Sequence, residues 1–576
     1  MKHKKLLIAM GTTLAFILNM ISCTNHPKSE NLHLRIIHTS DVHGHVLDAL
    51  PRIAAYVEAV RREMPDAVIL TDGGDDLQGH PAAYYYNFVD TTSTHIVAEV
   101  MNRMGYDVAT IGNHDIEAGH AVFDRWIREC RFPVIGANVV DSLTGDPYLT
   151  PYIIIERAGV RMAILGLITP AIPNWVPQAQ WSGLYFEDMV SAARKWIPII
   201  QQREQPDLII GLFHSGIDAE MGIQTADYCE NEVRQVAQQV SGLDLILYGH
   251  DHRRHLEYVP TPDGDSILCI GPTSTGACLC EVDIDIQRDR KGRVVGRTIQ
   301  GHLLDTSAIE ADSSQVWYPE AVAAVQAYMQ EEVGVFTSAV HEREAFFGSS
   351  AFIDLIHDLQ FQLSSGAQIS FAAPLSFDAT IQAGMTHVSD MFALYKYENL
   401  LYTMRLSGRE VRDFLEMSYD LWANTMQGPD DHILLLDSVL DGGRRLGLKN
   451  MAFNFDSAAG IRYLVDVSKP NGQKVTILSM EDGTPFDLQQ EYLVAMNSYR
   501  GYGGGELLTK GAGIPLEELP KRIVASTSHD LRYHIIEHIR QQQRVSPHTR
   551  NNWRFIPDEW APAALARDRA ILFPKK

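Results

Sequence analysis

At 576 residues the chain is too long for a single hydrophobic core and calls for about two to four domains. It carries 49 basic against 72 acidic residues, a formal net charge of −23, and no basic block beyond its first few positions. That balance excludes polymeric nucleic acid as a partner, and a small anion would need cations gathered locally, for example as metal ions.

In chain order, the first segment is a basic "MKHKK", then the apolar run "LLIAMGTTLAFILNMI", then Ser22-Cys23 and the polar "TNHPKSE". A basic start, an apolar stretch too short for a bilayer span and a small residue before cysteine predict a bacterial export signal over residues 1–22. The same pattern resembles a lipoprotein signal, with Cys23 as the lipidated first residue of the mature protein and 23–33 as a tether. The expected place of work is therefore the cell envelope, periplasmic or on the outer-membrane surface. The other cysteines, Cys130, Cys229, Cys269, Cys278 and Cys280, are scattered and form no disulfide framework, although Cys269 could pair with Cys278 or Cys280 across "GPTSTGA".

Five apolar, β-branched runs follow, each stopping at a polar cluster: "LRIIHTSDVHG", "AVILTDGGDDLQG", "DVATIGNHDIE", "DLIIGLFHSG" and "DLILYGHDH". Helix-like segments such as "RIAAYVEAVRREM" and "STHIVAEVMNRMG" lie between them. The alternation predicts an α/β layered domain over 34–305 whose ligands gather beyond the carboxyl ends of the strands. Those ends supply Asp41 and His43, Asp75, Asn113 and His114, His214, and His250 and His252. Carboxylate, imidazole and amide donors without thiolate suit divalent Mn, Zn, Fe or Co, and two such ions side by side need one bridging carboxylate.

The ordered set D-x-H, G-D, G-N-H-D, H-S-G and G-H-D-H resembles the calcineurin-like metallophosphoesterases, whose domain is an αββα sandwich. The resemblance implies that Asp41, His43 and His252 hold one metal, that Asn113, His214 and His250 hold another, and that Asp75 bridges them. His114 would stabilise the transition state or protonate the leaving oxygen, with Glu117 as its orienting carboxylate and Asp115 as a competitor for that role. Asp72 and Asp76 read as turn or supporting residues, and His38 and His45 as structural or supporting.

The segment "SSQVWYPEAVAAVQAYMQEEVGVF" predicts a connecting helix within 306–345. An α+β mixture is expected over 346–545 and a polar tail over 546–576. "SFAAPLSF", "VSDMFALYKYENLLYTMRLSGREVRDFLE", "FNFDSAAGIRYLVDVSKP" and "YLVAMNSYRGYGGGE" resemble, in that order, the C-terminal domain of the 5′-nucleotidase family. That family sandwiches the base between two aromatic rings and turns one domain against the other about a hinge. The rings would be Phe455, with Phe453 as the alternative on the same strand face, and Tyr499, with Tyr502 as the alternative. The glycines of "NSYRGYGGGE" would clear room for the base. The Asn-Gly-Gly-x-Arg segment and the Gly-Gly-Asp ribose contact of true 5′-nucleotidases are missing, and "NSYR" and "LYKYEN" look more like the branch that hydrolyses 2′,3′-cyclic nucleotides and 3′-nucleotides. The expectation is a monomeric, metal-dependent phosphoesterase of that branch acting on extracytoplasmic nucleotides. The alternatives are a 5′-nucleotidase, a UDP-sugar hydrolase and a non-catalytic nucleotide-binding lipoprotein.

Overall fold

Two six-stranded sheets stack face to face to make the first domain. The computed structural model describes residues 30–574 except 223, 225–228, 311–315, 365 and 438–446, so the expected export signal and Cys23 lie outside the described residues. In one sheet the strands Glu30–Thr39, Val68–Asp72, Val108–Thr110 and Val134–Ile135 run parallel, and Cys278–Arg288 and Val294–Asp305 close it on the antiparallel side. In the other, Val160–Ile168, Leu208–His214, Leu245–Tyr248 and Ser266–Gly271 run parallel, flanked by Tyr152–Arg157 and His255–Pro260. Strands buried on both faces are apolar throughout, which is why the five runs show no polar alternation.

Between the sheets lie Leu34, Ile36, Ile69 and Val108 on one side and Ile210, Leu212, Leu245 and Leu247 on the other. Each such side chain contributes about 1.5–3 kcal/mol on burial. Helices Leu50–Glu63, Ile96–Met104 and His120–Glu129 cover one outer face, and Met189–Glu204 and Val233–Gln239 cover the other. The helix Ile96–Met104 begins where His95 Nδ1 accepts from Val97 N–H and ends at Gly105, whose φ of 69° suits glycine. The layer order is the αββα sandwich. Cys269, Cys278 and Cys280 are buried and unbridged.

The connecting helix is shorter than its sequence suggests, covering only Pro319–Met329. After it, Glu332–Phe336 becomes a strand, because Gly334, Val335 and Phe336 pair against Thr386, Met385 and Gly384. The second domain is built on a five-stranded sheet, in the order Ser457–Ala459, Ile369–Ala372, Glu491–Asn497, Leu401–Ser407 and Ile523–Ser526. Helix Gly408–Trp422 packs on it, started by a capping box between Ser407 and Glu410. The segment expected as a polar tail is part of this core. Trp553–Ile556 adds a parallel strand to Ile461–Asp466, and helix Ala561–Leu572 buries Ala561, Ala564 and Leu572. Its Asp568 is fully buried and accepts from the N–H groups of Ile433 and Leu434.

The domains touch through Tyr84, whose ring meets Phe392 edge to face at 5.3 Å and lies 5.1 Å from the guanidinium of Arg532. Tyr84 Oη also donates to Asp530 at 3.3 Å. Among the described residues no helix is long and apolar enough to cross a membrane.

Candidate active site

The strand-end loops that carry the donors are backed by a net of main-chain bonds. Asp41 N–H donates to Gly74 O at 2.8 Å and His43 N–H to Asp75 O at 2.9 Å. The Asp115 carboxylate accepts from the N–H groups of Gly112, Asp75, Asp76 and Leu77 at 2.7–2.9 Å. Asp115 therefore holds the Asp75 loop and does not compete for His114. Asp41, His43, Asp75, His250 and His252 have φ of 54°, 51°, 64°, 86° and 54°. Left-handed backbone at non-glycine residues costs of order 1–3 kcal/mol each and persists where surrounding structure imposes it.

Two donor groups result, and they share Asp75. Asp41, His43, Asp75 and His252 present ligand atoms within 4.8 Å of one another, as do Asp75, His214 and His250. Asn113 Oδ1 joins the second group, 3.1 Å from His214 Nε2 and 2.8 Å from His250 Nδ1. The tautomers show what this geometry needs. His214 Nδ1 donates to Gly73 O at 2.7 Å, which leaves Nε2 as a lone pair facing Asn113 Oδ1 and, at 3.2 Å, Asp75 Oδ2. His43 Nδ1 donates to Gln78 O at 3.0 Å, so its Nε2 lone pair faces His252 Nε2 at 3.0 Å. Acceptors converging on one another are relieved by positive charge between them, carried by a shared proton or by a metal ion. Divalent cations fit this donor set.

Burial alone would push the Asp75 carboxyl up, but His214, His114 and His43 hold it well below the usual range, and Asp41 is likewise depressed by His252 and His214 against its burial. Asp72 and Asp76 go the other way. Burial takes Asp72 to about 7 and, with Asp72 and Asp115 alongside, pushes the Asp76 carboxyl well above its usual value. Asp72 accepts from Thr39 Oγ1 at 2.6 Å and Gly74 N–H at 2.8 Å and supports the loop. His38 is buried between Thr71 Oγ1 and Tyr248 O and is pushed by burial to about 4, while His45 pairs with Asp48 at 2.9 Å.

His114 Nδ1 meets Glu117 Oε2 at 2.6 Å, and His114 N–H donates to Asp75 Oδ1 at 2.8 Å. Desolvation lowers this imidazole, Asp75 and Glu117 raise it, and the outcome is about 10. One residue escapes the sequence reading. Glu230 Oε1 accepts from His250 Nε2 at 2.9 Å, fixing the tautomer that aims Nδ1 at Asn113. Its signal is weak, a glutamate in the loop after His214 with no motif around it.

A cavity of about 510 Å³ runs from Asn113, His114 and His250 to Phe453 and Tyr499 of the second domain. Trp175 lines it and leans on His250, ring centres 5.7 Å apart. Phe453 lies on the turn Ala452–Asn454, not on a strand, and meets Tyr499 edge to face at 6.2 Å. Phe455 is not available to a base. It is fully buried and stacks on Trp422 at 5.4 Å, because the turn breaks strand alternation and sends it into the core. Tyr502 packs against Tyr402 at 5.5 Å and does not line the cavity. The glycines serve the protein's own side chains: a Cβ on Gly504 would lie 2.5 Å from the Tyr499 ring.

The family profile described as calcineurin-like phosphoesterase matches residues 34–254, and that described as 5′-nucleotidase, C-terminal domain, matches 327–510. The chain is a metallophosphoesterase joined to a 5′-nucleotidase C-terminal domain. Similar proteins include a trifunctional nucleotide phosphoesterase of Bacillus subtilis, 26% identical over 91% of this chain. The match spans 39% of that longer protein. A 2′,3′-cyclic-nucleotide 2′-phosphodiesterase/3′-nucleotidase of Haemophilus influenzae is 25% identical, covering 92% of this chain and 88% of its own. Among solved structures, the 5′-nucleotidase precursor of Thermus thermophilus shares the fold with a TM-score of 0.58 at 21% identity, covering 91% of this phosphoesterase and 100% of its own chain.

Proposed function

We propose that this phosphoesterase hydrolyses 2′,3′-cyclic nucleotides and 3′-nucleotides, using two divalent cations held by the donor groups that share Asp75. The observation that carries the reading is one cavity that runs from Asn113 and His250 of the second donor group, past His114, to Phe453 and Tyr499. Relatives named for this pair of activities match 91–94% of the chain, whereas a 5′-nucleotidase of Vibrio cholerae matches 41%. Leu375 lines the cavity close after the strand Ile369–Ala372, in the segment where the resemblance to 5′-nucleotidases would place the arginine of Asn-Gly-Gly-x-Arg.

Bound there, divalent cations activate water and neutralise charge on the phosphoryl oxygens. The chain's own residues do the rest. Glu117 fixes His114 through Nδ1, leaving Nε2 to donate toward the leaving oxygen. Glu230 holds His250, Trp175 shields it, and the two rings of the second domain receive the base. We further propose that the enzyme works in the cell envelope, tethered through Cys23, on the strength of the signal pattern in residues 1–23.

The test is a substrate panel of 2′,3′-cAMP, 3′-AMP, 5′-AMP and UDP-glucose. By kcat/KM the first two should exceed the others by about tenfold or more, a difference of only about 1.4 kcal/mol in transition-state binding. Turnover confined to 5′-AMP or the nucleotide sugar sinks the assignment.

A further inference from the structure

Arg500 directly follows Tyr499, yet its side chain is buried, 1% exposed. Its guanidinium bonds to two separate stretches of chain at once. Nη2 donates to Phe453 O at 2.9 Å and to Asp456 Oδ2 at 2.6 Å, Nη1 donates to Gly504 O, and both nitrogens reach Asn454 Oδ1 at 3.3 Å. The first stretch is the turn that presents Phe453 to the cavity. The second is the glycine tract against which the Tyr499 ring lies, and the guanidinium carbon sits 5.5 Å from that ring. Glycine is required where the cation passes: Gly505 has φ 68°, and a Cβ there would lie 2.3 Å from Arg500 Nη1 and 2.2 Å from Asn454 Oδ1.

A buried charge is costly unless it is paired and its donors are used. Pairing with Asp456 alone would be met by any cation. Only a planar fork can also bond carbonyls on two chain segments in fixed directions.

We propose that Arg500 is a positioning residue that sets the spacing and tilt of Phe453 and Tyr499, and thereby governs whether the cavity grips a planar base. The inference rests on the reading that this cavity takes nucleotides. Arg500 itself touches neither phosphate nor base in this role.

The test uses Arg500→Lys in the full chain loaded with Mn²⁺, since an ammonium still pairs with Asp456 but cannot reproduce the fork. Kinetics are measured on 3′-AMP and on bis(4-nitrophenyl) phosphate, which has no base, and adenosine binding is measured by equilibrium dialysis. The KM for 3′-AMP and the Kd for adenosine should rise by about tenfold or more, the size of one weakened base–aromatic contact, with the aryl diester little affected. Gly505→Ala, which crowds the guanidinium without changing its chemistry, should show the same split and serves if Arg500→Lys fails to fold. Unchanged nucleotide constants overturn the proposal. So does a parallel loss on both substrates, which would make Arg500 only a stabilising residue. If the native protein binds neither adenosine nor 3′-AMP, the nucleotide reading falls and this one with it; if the native protein binds and the variants bind equally well, only the role of Arg500 falls.

Discussion

Glu230 illustrates how one side chain away from the reacting atoms sets the chemistry of another. By accepting from His250 Nε2 at 2.9 Å it keeps the Nδ1 lone pair on the side of Asn113. Glu230→Gln keeps the shape but removes the charge that makes the imidazole a better donor. Metal affinity measured by chelator competition should fall about 10- to 100-fold. The aromatic pair gives a sharper contrast. Phe453→Ala should raise the KM for 3′-AMP about tenfold and spare an aryl phosphodiester, since one base–ring contact contributes roughly 1–3 kcal/mol. Phe455→Ala should instead cost about 3–5 kcal/mol of stability, read by urea unfolding, because it empties a packed site against Trp422. The donors were legible because each ends an apolar strand in a recognisable order. The choice between Phe453 and Phe455 was not, because a short 3-10 turn replaces strand alternation without a marker in the residues.

Secondary elements were legible in proportion to their apolar pattern. The continuous β-branched runs of the first domain became buried parallel strands, whereas helix Ala561–Leu572 hides its contribution behind small alanines and a buried aspartate, and reads as a tail. The helix Ile96–Met104 carries a testable consequence of its cap. His95 accepts from Val97 N–H through Nδ1, and its Nε2–H donates to Asn87 Oδ1 at 2.8 Å, so the neutral ring is fully used. Burial, reinforced by Arg125, pushes this imidazole down to about 3. The unfolded chain, with its histidine near 6.5, takes up the proton first as the pH falls. Stability from this group is thus full above about pH 6.5 and lost below it, at about 1.4 kcal/mol per pH unit until the folded value is reached. His95→Asn keeps a capping oxygen and cannot titrate. Urea unfolding at about pH 7 and about pH 5 should show a shallower pH slope for the variant, by the equivalent of about one proton.

At the scale of the whole molecule, neither domain owns the cavity, and its dimensions depend on how the two are held together. Tyr84 is one fastening, set among Phe392, Arg532 and Asp530. Tyr84→Ala removes an aromatic contact that buries about 150–250 Å². X-ray scattering of the variant should show a larger and broader radius of gyration, and its KM for nucleotides should rise while aryl diester turnover persists. An unchanged scattering profile would show that other contacts carry the arrangement. The sequence revealed that two domains must cooperate, but the contacts between them rest on single side chains, Tyr84 ending the helix Pro81–Tyr84, Phe392 within Val388–Leu394 and Arg532 in the first turn of Leu531–Gln542, which no periodicity announces.

The left-handed backbone at Asp41, His43, Asp75, His250 and His252 bears on how the centre acquires its ions. These loops are held by their own main-chain bonds, so the backbone that carries the donors is specified by the chain itself, and loading would resemble the filling of a socket more than a step of folding. A rigid socket of imidazole, carboxylate and amide ranks first-row metals by the common order of affinity with little room to adapt. Which ions occupy it would then follow from the supply around the protein, and the same polypeptide recovered from manganese-rich or zinc-rich surroundings would be, in effect, two different catalysts.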